Sequence, residues 1–140
     1  MKVRVMLVRE GRRREAPVID TATAAFLFLK PRATRLDREH LWRIDLDTRS
    51  RVLGFEVVSI GTLSASLVHP REVMKGALLA NSAGFILAHN HPSGDEAPSP
   101  EDREVTLRVK RAGEIMGVPL IDHIVIGSDR FYSFKDAGLI

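Results

Sequence analysis

The stretch that most constrains this chain is His89 to Asp102, which reads HNHPSGDEAPSPED. An apolar run, Gly84 to Ala88 (GFILA), leads into it, and an amphipathic pattern from Pro100 to about Met116 leads out. A buried strand that ends in histidines, turns and enters a helix satisfies both patterns. Side chains on a strand repeat every two residues, so His89 and His91 project to one face while Asn90 points away. Pro92-Ser93-Gly94 has turn composition, and Ser99 followed by Pro100 is a helix start, with a hydroxyl at the N-cap and proline at the favoured first position. Asp102 then falls in the first turn, where its carboxylate can face back towards the two imidazoles.

Two imidazoles and one carboxylate make three ligands. Three protein ligands with a fourth position for water is the pattern of a catalytic zinc, whereas structural zinc sites are closed by four ligands, usually including cysteine. The chain contains no cysteine. Plainer readings exist for each residue. A histidine in a strand can be an ordinary core or surface residue, and Ser99 with Asp102 is also a capping box that needs no metal. Capping and ligation are compatible, since a carboxylate has two oxygens.

The string HNHPSGDEAPSPED resembles the JAMM motif, H-x-H, seven residues, then S-x-x-D, of the JAB/MPN metallopeptidase superfamily. More narrowly, HNHPSGD, VSIGTL (Val58 to Leu63), HPREV (His69 to Val73) and LIDHIVIG (Leu120 to Gly127) resemble the bacterial RadC family, from about Arg38 to the C-terminus. The resemblance implies one zinc per chain held by His89, His91 and Asp102, a bound water as nucleophile, and Ser99 helping to hold the water or the oxyanion. It also implies a catalytic glutamate on an upstream segment, which by position in REHLWRIDLD is Glu39. Spacing alone does not select Glu39 over Glu56, Asp95, Glu96 or Glu101; that assignment comes from the resemblance.

At 140 residues, 44% hydrophobic and 28% charged, the chain has the composition of one globular domain with a real core. No run approaches the length of a membrane span, and the start, MKVRVMLVREGRRRE, has only a short apolar stretch ending in charge, so a cytoplasmic protein without membrane association is expected. Charge is uneven: residues 1 to 52 carry 13 Lys and Arg against 7 Asp and Glu, and the remainder 8 against 11. Of the 21 basic residues 16 are arginine, with Arg12, Arg13 and Arg14 in a row. Arginine suits bidentate contact with phosphates, which makes nucleic acid a partner to consider; a solvated charged loop is the plainer explanation of the cluster, since few aromatics, Phe26 among them, lie near enough to stack on a base.

In chain order, Lys2 to Val8 alternates Val3, Val5 and Leu7 against Lys2, Arg4 and Met6, the pattern of a strand, and as an apolar edge it could pair between chains in a homo-oligomer. Glu10 to Ala16 reads as a charged loop. Asp20 caps a helix that runs through Lys30 and is stopped by Pro31. Arg32 to Asp37 is a polar connector and the expected boundary between an accessory piece, residues 1–37, and a RadC-like JAB/MPN domain, residues 38–140. Glu39 to Asp47, with Trp42, Ile44 and Leu46 on one side, and Val52 to Ile60 form a hairpin about Thr48-Arg49-Ser50. Gly61-Thr62 breaks the second strand and could line a substrate groove. A helix over 71–81 follows His69-Pro70, with Val73, Met74, Ala77 and Leu78 inward. After the histidines, Val105, Val109, Ala112 and Met116 mark the inner face of the next helix, which closes at Gly117. Leu120 to Ile126 is a buried strand containing Asp122 and His123. A carboxylate and an imidazole buried side by side are expected to bond each other, the sharper alternative being that one orients a metal ligand. Arg130 to Phe134 is a last short strand.

The expected fold is α/β: a single JAB/MPN-like (cytidine-deaminase-like) domain whose mixed sheet of five or six strands has helices on both sides. The expected activity is zinc-dependent hydrolysis of an amide bond in a protein or peptide substrate, with Glu39 as general base and Ser99 assisting the oxyanion. The alternative is a DNA-associated accessory protein, related to DNA repair, in which the basic N-terminal half contacts phosphates and the metal site is structural or vestigial. The letters HNH at 89–91 lack the spacing of an HNH nuclease signature.

Overall fold

A computed structural model describes residues 1–12 and 15–140. Its order is α1 (Ala22–Ala33), β1 (His40–Leu46), β2 (Val52–Ile60), α2 (Pro70–Leu79), β3 (Gly84–Asn90), α3 (Pro100–Met116), β4 (Leu120–Ile126) and β5 (Phe131–Ser133). The strands form one open sheet in the order β2-β1-β3-β4-β5. β3 runs antiparallel to β1 and parallel to β4, with α3 as the crossover between the two parallel strands. This is the expected α/β architecture, with five strands.

β3 is the middle strand, and all seven of its residues are buried. Its continuous apolar run follows from that position, because helices cover both faces. On one face Ile86 and Ala88 pack with Phe26 and Leu29 of α1 and with Trp42 and Ile44 of β1. On the other, Phe85 and Leu87 pack with Val73 of α2 and with Val105 and Val109 of α3. His89 continues the Phe85–Leu87 alternation and therefore faces α3.

Side chains fix the helix starts. His69 caps α2, its Nδ1 accepting from the Arg71 N–H at 3.2 Å. Ser99 caps α3 with a complete capping box, and Gly117, in the left-handed conformation, ends it. The hairpin from β1 to β2 forms as the alternation requires. On its inward face Arg43 is buried, bonded to Asp45 and Glu56 and donating to the Val73 carbonyl, which anchors α2 to the sheet.

Four local expectations need correction. Leu78, expected inward on α2, is exposed, the buried stripe of that helix being Val73, Met74, Gly76 and Ala77. Lys2 to Val8 is not a strand: residues 1–10 have no regular structure and are exposed. Alternation needs an edge to pair with, and among the described residues the N-terminal chain meets the start of β2 through one isolated bridge, Val18 to Arg51. The first helix is capped by Thr21, not Asp20, and continues to Ala33 with Pro31 inside its last turn. Proline there deprives the Leu27 carbonyl of its donor, which is tolerated because Leu27 is 60% exposed and water can replace the bond. Met116, expected on the inner face of α3, is exposed; the buried face ends at Gly113, where the chain turns back through Gly117 into β4.

Gly113 sets how closely α3 lies on the entry to β4. A Cβ there would stand 2.6 Å from the Val118 carbonyl oxygen and 3.2 Å from the Leu120 nitrogen, both backbone atoms that cannot rotate away. Alanine is the better helix former by about 1 kcal/mol, but overpacking against backbone typically costs about 1–3 kcal/mol. Gly113→Ala is expected to destabilise the domain in urea titration; equal or higher stability would show that the helix can lift off β4 freely.

Candidate metal centre

The centre forms where β3 ends. His89 and His91 lie on one face, their Nε2 atoms 3.0 Å apart. The carboxylate of Asp102 reaches both: Oδ1 is 3.2 Å from His89 Nε2 and Oδ2 is 3.2 Å from His91 Nε2. The three residues offer ligand atoms within 4.8 Å of one another. Asp102 is held by the capping box, in which its Oδ2 accepts from the Ser99 N–H at 2.8 Å and its own N–H donates to Ser99 Oγ at 3.0 Å. One set of bonds thus starts the helix and aims the carboxylate.

The turn after β3 aims His91. Its N–H donates to the Ile126 carbonyl, tying the strand end to β4, and Gly94 bonds back to its carbonyl. Gly94 has φ +86° and lies so close to Ser128 that a side chain would collide with it. His91 Nδ1 is 2.8 Å from the Asp95 carbonyl oxygen. A carbonyl only accepts, so Nδ1 carries a proton and Nε2 is the nitrogen turned to the centre.

Electrostatics are those of a cation site. Burial opposes the ionisation of Asp102, yet the two histidine rings and the Ser99 N–H hold its carboxyl far below the usual carboxylate range. The hydrogen bond to Asp102 raises His91 above the ordinary imidazole value, against partial burial. Donor atoms about 3 Å apart repel unless a positive charge is shared among them, and either a proton on His91 Nε2 facing Asp102 or a metal cation supplies it. The donor set, nitrogen and oxygen without sulfur, fits a divalent metal with room for water.

Beside the centre lies a cleft of about 330 Å³ lined by Glu39, Thr62, Leu63, His91, Ser99 and Asp102, among others. The structure therefore brings Glu39 to the same cleft as Ser99 and two of the three candidate ligands. Its carboxylate accepts from the Leu63 N–H at 2.8 Å and its carbonyl accepts from the Gly61 N–H. Asn90, on the opposite face of β3, brackets it: Oδ1 accepts from the His40 N–H at 2.7 Å and Nδ2 donates to the Arg38 carbonyl at 3.1 Å. No local signal in the sequence marks Asn90 for this role, since its partners are some 50 residues away.

Asp122 and His123 do not bond each other through their side chains, contrary to the expectation for a buried carboxylate and imidazole side by side. Adjacent on β4, they face opposite sides of the sheet. Asp122 accepts from the His123 N–H, from Ser133 Oγ and from the Lys135 N–H, fastening the C-terminal turn, and burial raises its carboxyl. His123, pushed well below the ordinary imidazole value by complete burial, touches His89 and Thr106. Of the arginine cluster, Arg12 is exposed, and Arg13 and Arg14 lie outside the described residues.

Comparison with known proteins agrees with this geometry. Residues 19–139 match the RadC-like JAB domain family. A UPF0758 protein of Desulforudis audaxviator is 49% identical over 123 residues, covering 88% of this chain and 54% of the relative. UPF0758 proteins of Methanococcoides burtonii and Rubrobacter xylanophilus are 48% and 47% identical, covering 87% and 89% of the chain and 53% and 54% of the relatives. The chain spans about half the length of these curated relatives. Among the described residues no helix is long and apolar enough to cross a membrane. By the extent of that match and the identity to its relatives, the chain belongs to the RadC-like JAB domain family.

Proposed function

We propose that the domain hydrolyses an amide bond of a protein or peptide with one zinc ion held by His89, His91 and Asp102. The observation that carries this reading is the convergence of two imidazole nitrogens and a carboxylate beside an open cleft that also holds a carboxylate from another element, Glu39. Zinc, when bound, supplies a Lewis acid that brings the pKa of water to about 7.

The protein's own groups do the rest. Glu39, steadied by the Leu63 N–H and by the Asn90 clamp on its neighbours, accepts the proton of the attacking water and passes it to the leaving amine. The backbone N–H groups of Ser99 and Asp102 are spent in the capping box and Pro100 has none, which leaves the N–H of Glu101, a residue of the cleft, as the first-turn amide outside these bonds. The Ser99 hydroxyl, whose oxygen accepts from Asp102, has its own proton to donate to the carbonyl oxygen as charge develops there.

Glu39→Gln keeps a group able to accept from Leu63 but cannot take a proton. It is expected to retain zinc while losing about 10²–10⁴ in turnover, read as amine release from a panel of peptide and lysine-linked isopeptide substrates by the zinc-loaded protein. Full turnover in the variant would remove Glu39 from the mechanism, and no cleavage of any member by the wild type would count against hydrolysis. Zinc must also displace a proton from His91. Because contact with Asp102 raises the basicity of this ring, proton competition begins above the ordinary imidazole range, and zinc affinity should fall about tenfold per pH unit below it. Calorimetric or chelator-competition titrations from pH 8 to about pH 5.5 would show this; affinity independent of pH would exclude His91 as a ligand.

A further inference from the structure

We propose that His123 and Thr106 form a buried positioning pair that fixes the proton of His89 on Nδ1 and ties the first metal ligand to the third. The pair deepens the metal-site reading and rests on it for its consequence.

The donors can be assigned from geometry alone. Thr106, one turn after Asp102 on α3, places its Oγ 2.6 Å from the Asp102 carbonyl oxygen and 2.6 Å from His123 Nδ1. A hydroxyl has one proton and a carbonyl has none, so Thr106 donates to Asp102 and His123 Nδ1–H must donate to Thr106. His123 is fully buried and its ring meets a threonine and a histidine but no carboxylate, so the ring is neutral and Nε2 is an acceptor. Its partner, 2.8 Å away, is His89 Nδ1, which therefore carries a proton. His89 is left with its Nε2 lone pair directed at Asp102 and His91, the form a metal ligand needs.

The bonds form an open loop. From His89 they run through His123 and Thr106 to the backbone of Asp102, whose carboxylate stands 3.2 Å from the His89 Nε2 lone pair across the centre. Reversing the protons along this path would put hydrogen on His89 Nε2 and leave the Thr106 and Asp102 oxygens in contact with no proton between them. Register supplies the second constraint: β3 and β4 pair in parallel with Leu87 opposite His123, which sets His123 on the same face as His89. Phe134 stacks on the far side of the His123 ring, centroids 5.1 Å apart, and prevents it from turning.

Thr106→Val removes the hydroxyl at nearly constant volume, Thr106→Ser restores it, and His123→Phe keeps the stack on Phe134 without the nitrogens. Zinc affinity by chelator competition should fall about 10- to 100-fold in T106V and H123F, with circular dichroism unchanged, and T106S should recover it. Histidine ring ¹⁵N shifts of the metal-free wild type should show His89 protonated at Nδ1, and T106V should lose that preference. Unchanged zinc affinity in folded T106V, or His89 protonated at Nε2 in the wild type, would overturn the proposal. A wild type that carries the Nδ1 proton yet takes up no zinc would refute the metal reading and leave the pair standing.

Discussion

Everything distinctive in this domain depends on one electrostatic constraint: two imidazole lone pairs and a carboxylate are brought within about 3 Å at the end of a fully buried strand. Such a cluster is repulsive unless a proton or a metal cation is shared among its members, and the surrounding fold holds the three donors together for either. The holding bonds come from separate elements. The capping box of α3 fixes Asp102, the turn after β3 fixes His91, and β4 fixes His89 through His123. Rigid strand and helix ends locate ligands more tightly than free loops do.

The same strand serves the cleft from its other face. Asn90 looks away from the centre, yet its amide grips the backbone on either side of Glu39 and sets where β1 begins. β3 and the residue that follows it thus position the candidate ligands His89 and His91, and the asparagine between them positions the candidate base. The antiparallel pairing of β1 with β3, Leu41 opposite His89, makes that geometry possible. A parallel neighbour would carry the start of β1 to the opposite end of the sheet, away from the cleft.

Much of this was legible before any coordinates, for local reasons. The two-residue period of His89 and His91, the Ser99-Pro100 helix start and the placement of Asp102 in the first turn are each decided by neighbours in sequence. The resemblance then singled out Glu39, which spacing could not. The parts that stayed hidden depend on distant pairing. His123 reaches His89 across 34 residues and Asn90 reaches Arg38 across 52, distances set by strand order and register. Asp122 and His123 invited a mutual bond because they are adjacent, but adjacency in a strand sends side chains to opposite faces. Lys2 to Val8 failed for the complementary reason: its alternation is strand-like, but the described chain gives it no edge to join.

The central claim is that His89, His91 and Asp102 hold a metal in the form that activates water. The most direct measurement is a crystal structure of the zinc-loaded protein with anomalous differences recorded across the zinc edge. The account predicts one peak at about 2.0–2.2 Å from His89 Nε2, His91 Nε2 and a carboxylate oxygen of Asp102, with a fourth position facing the Glu39 cleft. No peak there, or zinc bound through a ring Nδ1, would contradict it.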